Sequence, residues 1–270
     1  MKIENYREFF SRREQVRLQI LDGGHAVCEG GEWAADVASP GCSRLYYILG
    51  GDPFLVVDGE ELPLLPGHCY LIPTGLPFRY DCRTGMEQIY FHLNLRNESG
   101  WDLFRGCGRV LGMAYPEELA GRIETACGEK ICGITGALLG EALVKETLAR
   151  IFMENDWEPE DKTLSPCVQA AVSEIWSHPS IQMTLETLAV RSFVSPSTLA
   201  KKFRKEMGMT LGTCIDEAVF QEAEQLLRRS ALSIREISER LGFGDQFYFS
   251  RRFREKYKTT PRSYRKQTFI

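Results

Sequence analysis

Two groups of polar and basic residues in the last hundred positions of the 270-residue chain have the types and spacing to do chemistry. The first holds Ser197, Thr198, Lys201, Arg204 and Lys205, and the second Gln246, Phe247, Ser250, Arg251 and Arg254. Arginine and lysine donate to guanine O6 and N7 and to phosphate oxygens, and hydroxyl and amide groups reach base edges or the sugar-phosphate backbone. Each group surrounds an apolar pair with a spacing of four, Leu199/Phe203 and Phe249/Phe253, which reads as core on the opposite face of a helix. Residues early in such a helix reach bases and later basic ones reach phosphates, so Lys201 and Arg251 are the best candidates for base contact. A lone basic residue is ordinarily a solvated charge; the same placement in two groups argues against that here. Phe247 stands where a polar residue is usual and either packs on a thymine methyl or is buried.

The N-terminal half offers a different chemistry. It is rich in amphipathic side chains, among them Trp33, Tyr46, Tyr47, Tyr70, Arg79, Tyr80, Tyr90 and His92. Apolar walls with a few placed polar groups suit a small molecule, and stacked aromatics suit sugars or aromatic acids. Alternation along a strand forbids Tyr46 and Tyr47 from sharing a face. The ligand-binding set expected is Tyr47, Tyr70 and His92, with Trp33 and Arg79 behind them; simple core filling is the equal alternative at each position.

The elements that must position these groups differ along the chain. Runs such as Leu45–Leu49, Phe54–Val57 and Gln88–Leu93 are aromatic and β-branched, and Gly50-Gly51-Asp52-Pro53, Asp58-Gly59, Pro66-Gly67 and Pro73-Thr74-Gly75 read as turns between strands. Closely spaced turns favour an antiparallel sandwich or barrel. Ile3 to Leu21 reads as a helix or an irregular arm. Pro116-Glu117-Glu118 suits a helix start, and Thr135 to Asn155 carries apolar residues at helical spacing, including Leu138, Leu139, Leu143, Leu148 and Ile151. Thr184, Ser195, Ser233 and Asp245 can each cap a helix, and Gly208 and Gly242 suit helix ends.

Composition is ordinary for a globular chain, with 43% hydrophobic and 26% charged residues. No window supports a membrane span and the polar N-terminus does not resemble a secretory signal, so a cytoplasmic location is expected. Nine scattered cysteines, of which Cys127 and Cys132 are the closest pair, read as reduced thiols. The net charge of −4 conceals an uneven distribution: residues 166–270 hold 17 Lys+Arg against 11 Asp+Glu, and residues 1–165 hold 16 against 26. A +6 module therefore follows a −10 module, as expected for two domains with different partners. The divisions read are 1–110, a helical segment at 111–156, a charged linker at 157–166 and a helical domain at 167–270.

The helical domain repeats itself. Thr184-Leu185-Glu186-Thr187-Leu188-Ala189 corresponds to Ser233-Ile234-Arg235-Glu236-Ile237-Ser238, and Leu199–Glu206 to Phe249–Lys256 after one extra residue in the second turn. Each copy reads as a short helix, a tight turn and a longer helix, which is a helix-turn-helix. Between them Thr210 to Arg229 offers a spacer helix of ~30 Å at 1.5 Å per residue. That length would hold two recognition helices about one DNA turn apart, ~34 Å.

Ile234-x-x-Ile237-Ser238 through Leu241-Gly242-Phe243-x-Asp245, Tyr248-Phe249-Ser250-Arg251-x-Phe253 and Thr260-Pro261-x-x-Tyr264-Arg265 closely resembles the AraC/XylS-type transcriptional regulators. So does Ser195-Pro196-Ser197-Thr198-Leu199 to Phe203-x-Lys205-x-x-Gly208. Two positions depart from that pattern: Lys258 stands where the family usually has Gly, and Val219 where it usually has Arg. The segment Leu64-Leu65-Pro66-Gly67-His68-x-Tyr70-Leu71-Ile72-Pro73-x-Gly75-x-Pro77-Phe78 with Tyr90-Phe91-His92-Leu93 resembles the cupin-like effector domain found in such regulators. The resemblance implies an α+β two-domain chain: a cupin-like β-barrel followed by helices, then an all-α domain with two helix-turn-helix motifs joined by a linker helix. It implies double-stranded DNA and a small-molecule effector, a sugar among the candidates, as partners. It also implies a homodimer formed through the 135–155 helix and allows RNA polymerase as a further partner. A regulator whose β-domain only dimerises is the alternative. Metal-dependent cupin enzymes use His-x-His and a His where Phe78 stands; the four histidines here (25, 68, 92 and 178) form no His-x-His, so an enzyme is disfavoured and no metal or cofactor is expected.

Overall fold

Chain segments rich in aromatic and β-branched residues pair into one antiparallel sheet, and the elements that follow it among the described residues are helices. The computed structural model describes residues 16–37, 41–127, 133–160 and 162–267. The strands are β1 (Val16–Glu29), β2 (Ala35–Val37), β3 (Ser43–Val57), β4 (Glu60–Pro63), β5 (His68–Ile72), β6 (Phe78–Asn97) and β7 (Leu111–Ala114). They run in the order β1-β6-β3-β5-β7, with β2 paired to β6 and β4 to β3. Two helices follow, α1 (Glu117–Cys127) and α2 (Gly133–Glu154).

Three sequence expectations change, the first at Leu111–Ala114, which is strand β7 and not the start of a helical segment. Val16 to Leu21 is strand, part of β1, and the rest of the expected arm, Ile3 to Gln15, lies outside the described residues, as does Cys132. Gly50 to Pro53 is no turn between two strands but a kinked stretch inside β3, with register shifts between Ile48 and Gly50 and between Gly51 and Pro53. Both halves of β3 pair with β6, so the extra residues are absorbed as bulges that bend the sheet. Gly51 sits at φ 87°, and a Cβ there would lie 2.2 Å from the Gly85 carbonyl oxygen, so only glycine fits. Asp58-Gly59 does turn the chain, with both residues at positive φ (53° and 84°), the geometry that suits a tight β3–β4 hairpin.

One face of the sheet gathers Tyr46, Ile48, Leu55, Leu64, Tyr70, Ile72, Leu76 and Phe78 into a buried cluster, with Trp33, Tyr80 and Tyr90 packed against it. The helix α2 buries Leu143, Val144, Thr147, Leu148 and Ile151. Its first turns leave Ile134, Leu138 and Leu139 exposed, although their spacing matches the buried set.

Contacts divide the chain into two compact units, one of residues 18–94 with 104–160, the other containing Leu95–Leu103 and the described residues from Lys162 onward. In the second unit, Arg96 lies 3.8 Å above the Trp176 ring and Asn97 Nδ2 donates to the Lys162 carbonyl at 2.7 Å. Its helices are α3 (Pro166–Ser177), α4 (Leu185–Arg191), α5 (Pro196–Met207), α6 (Leu211–Arg229), α7 (Ile234–Arg240), α8 (Gln246–Tyr257) and α9 (Pro261–Gln267). No helix among the described residues is long and apolar enough to cross a membrane.

Candidate nucleic-acid interface

The two sequence repeats fold alike because their caps are alike. Thr184 and Ser233 each close a capping box, with Thr187 and Glu236 respectively as the reciprocal partner three residues on. The longer helices then start at Ser195, whose hydroxyl accepts from Thr198 N–H at 3.2 Å, and at Asp245, whose carboxylate accepts from Phe247 and Tyr248 N–H at 3.1 and 3.0 Å. Gly208 and Lys258 end them in the left-handed conformation, φ 70° and 59°. Lys258 therefore adopts the backbone that the usual glycine would, against a steric preference.

Packing fixes which way each recognition helix faces. Leu199, Phe203, Phe249 and Phe253 are fully buried, as their spacing predicts. Phe220 of α6 packs its ring 6.3 Å from Phe253 and 6.1 Å from Phe243, so the linker helix carries the second motif on an aromatic core. Val219 is buried as well, which gives an apolar reason for its presence in that helix. Between α6 and α9, Arg228 Nη2 donates to the Tyr264 hydroxyl at 2.6 Å and the hydroxyl donates to Glu224. Burial and the neighbouring Glu224 carboxylate hold the Tyr264 phenol well above its usual range, so it stays protonated as the donor in this chain.

The residues proposed from sequence lie on the faces left over. Ser197, Thr198, Lys201, Arg204 and Lys205 on α5 are exposed, as are Phe247, Arg251 and Arg254 on α8; Gln246 and Ser250 are half-buried. Ser197, Lys201 and Arg204 stand at i, i+4 and i+7, and so do Phe247, Arg251 and Arg254, so each helix presents one outward row. Two contributors escaped the sequence reading. Tyr248 is exposed, with the Arg251 guanidinium 5.3 Å from its ring centroid. Arg252 bonds the Tyr248 hydroxyl at 3.0 Å and Asp216 of α6 at 2.5 Å, fixing the start of α8 against the linker helix. The repeat itself carried the signal for Tyr248, because it occupies the place that Thr198 takes in the first copy.

The candidate ligand residues distribute over both sheet faces. Tyr47 does not share the face of Tyr46 and Tyr70: its hydroxyl donates to Thr147 of α2 at 2.7 Å, and both residues are buried. Alternation separated Tyr46 from Tyr47, but the phase depends on which face α2 covers. Arg79 also leaves the inner face, but for solvent, 3.8 Å from Asp81, because Phe78 and Tyr80 take the inward positions on either side of it. Tyr70 and Trp33 do lie with Tyr46; the Tyr70 hydroxyl accepts from Leu65 N–H at 2.9 Å, and the Trp33 ring is 4.5 Å from Tyr80. His92 is buried and accepts from Arg44 Nε at 3.3 Å, while the Arg44 guanidinium lies 5.0 Å from the Phe78 ring centroid. Arg44, Tyr46, Tyr80 and Tyr90 thus belong to the inner face beside the expected residues.

A helix-turn-helix domain family matches residues 188–267, which cover the second repeat and all but the first four residues of the first. MtrA of Neisseria gonorrhoeae, an HTH-type transcriptional regulator, is 21% identical over 88% of this chain and 91% of its own length. Residues 188–267 carry the helix-turn-helix domain of AraC-type regulators. Within this family, PocR of Salmonella typhimurium and the xylose operon regulatory protein of Escherichia coli K12 are each 33% identical over 100 residues. The chain spans about a third of the length of PocR and a quarter of the xylose regulator. The fold of the chain is similar to that of ToxT from Vibrio cholerae, with a TM-score of 0.62 at 9% identity, over 94% of this chain and 98% of ToxT. A second ToxT structure, described as bound to an unsaturated fatty acid, superposes with a TM-score of 0.59 at 12% identity, covering 100% of this chain and 99% of that one.

Proposed function

We propose that this AraC-type transcriptional regulator reads two adjacent half-sites with α5 and α8 and takes a small-molecule effector on the inner face of its β-sheet. The observation that carries the DNA reading is the pair of capped, core-anchored helices that present matching outward rows, Ser197/Lys201/Arg204 and Phe247/Arg251/Arg254. Thr198, Lys205, Gln246 and Ser250 flank those rows. The effector reading is supported by Arg44 and His92, both buried on the sheet face that carries Tyr46, Tyr70, Tyr90, Trp33 and Tyr80, with Arg44 against Phe78 and His92 against Tyr90. A cation within aromatic walls favours a carboxylate on an apolar body over a plain sugar. A fatty-acid-bound ToxT of the same fold is consistent with that class. The exposed Ile134 and Leu138 of α2, 81% and 63% accessible, support a homodimer built on that helix.

The test is selection of duplexes from random DNA by the full-length protein, followed by thermal-shift screening against sugars, aromatic acids and fatty acids. A selected two-part site, and a carboxylate that raises the melting temperature, support the reading. Failure to select any sequence overturns the DNA assignment. A second reading keeps the DNA function but makes the β-unit purely structural. It is favoured by the tight burial of Tyr46 and Tyr70, and stability unchanged by every compound would bear it out.

A further inference from the structure

The two outward rows match at their second and third positions and differ at the first. Lys201 corresponds to Arg251 and Arg204 to Arg254, whereas Ser197 corresponds to Phe247. The alternative of burial is removed by the structure: Phe247 is 75% exposed, while Phe249 and Phe253 on the opposite side of α8 are fully buried. Phe247 is the second residue of α8, and its backbone N–H is bonded to the Asp245 carboxylate, so its position is set by the cap. It therefore stands at the entering end of the recognition helix, in line with two arginines.

The chemistry of the major groove restricts what an aromatic ring can meet there. Guanine, adenine and cytosine present acceptors and amino donors along their groove edges, and an unmodified base pair offers one apolar group, the C5 methyl of thymine. A phenylalanine pressed against any other base edge would desolvate a polar atom without replacing its hydrogen bond. We propose that Phe247 is a specificity-determining residue that reads a thymine C5 methyl in the half-site bound by α8, alongside the guanine bound by Arg251. The assignment rests on the DNA-binding reading above and adds an asymmetry to it. The first half-site is read by hydroxyl and ammonium groups, and the second requires a thymine.

The experiment uses the full-length protein and the site it selects from random duplexes. Each thymine is replaced in turn by deoxyuridine, which keeps every hydrogen-bonding group and deletes only the methyl, and affinity is read by fluorescence anisotropy. One buried methyl corresponds to roughly a fourfold change in affinity. The expected result is one thymine in the second half-site whose replacement costs that factor with wild-type protein. Phe247→Ser, which installs the residue type of Ser197, abolishes the difference, and Phe247→Leu retains part of it. Melting curves matching wild type establish that the variants are folded. Uniform tolerance of deoxyuridine, a second half-site without thymine, or a methyl effect that survives in Phe247→Ser would each overturn the proposal while leaving DNA binding intact. A protein that selects no sequence would overturn both.

Discussion

The left-handed cap at the end of α8 allows a stability effect to be worked out and then checked inside the same molecule. Lys258 sits at φ 59°, ψ 6°, and Gly208, at the matching place in the first motif, sits at φ 70°, ψ 2°. A residue with a Cβ pays about 1–2 kcal/mol in this region relative to glycine. Glycine in turn loses about 0.4–1 kcal/mol through the greater freedom of its unfolded chain. Lys258→Gly is therefore expected to stabilise the helical unit by roughly 0.5–1 kcal/mol, less a small amount for the exposed bond from Lys258 Nζ to the Glu255 carbonyl. For a unit of this size that is about 2–8 °C in melting temperature. Nothing lies within 4 Å of a Cβ built on Gly208, so Gly208→Lys should cost a similar amount from backbone strain alone. Circular dichroism melting of the full chain, with Lys258→Ala as a variant that keeps the strain and loses the amine, reads all three. A drop in melting temperature for Lys258→Gly, or equal effects of Ala and Gly, would refute the strain argument.

Arg251→Ala should weaken binding to the selected site by about 1–3 kcal/mol and relax base preference, whereas Arg254→Ala should weaken all sequences equally and lower the salt slope by about one; gel-shift titration at several salt concentrations separates them. Tyr264→Phe removes the hydroxyl between Arg228 and Glu224 and should destabilise the helical unit by about 1.5 kcal/mol in denaturant unfolding. The bond from Ser233 N–H holds the Glu236 carboxyl below its ordinary value. A lowered folded-state value means its contribution is fully present above the unfolded carboxylate range and is lost as pH falls through the folded value. Glu236→Gln should flatten that part of the acid limb in melting experiments from pH 7 to 3, and an unchanged profile would count against the capping box. Tyr47→Phe should lower stability through the lost bond to Thr147 while leaving effector binding unchanged in thermal-shift titration, which distinguishes its face from that of Tyr46.

Local chemistry determined the parts of this protein that are read within a few residues. Caps at Thr184, Ser195, Ser233 and Asp245, the buried pairs Leu199/Phe203 and Phe249/Phe253, and the outward basic rows all follow from hydrogen bonding and a 3.6-residue period, and the repeat states each of them twice. The charge split between the two halves of the chain needed no structure either. What the tertiary structure decided was phase and partnership. Alternation separated Tyr46 from Tyr47 but could not assign the inner face, because that depends on where α2, a hundred residues later, lays its Thr147. Gly50 to Pro53 has turn composition, yet it bends a single strand because one long partner, β6, pairs with both sides of it. Nothing local in the sequence marks Arg252, whose role is set by Asp216 of the linker helix and by Tyr248. In each case the deciding contact lies far away in sequence, where no local pattern records it.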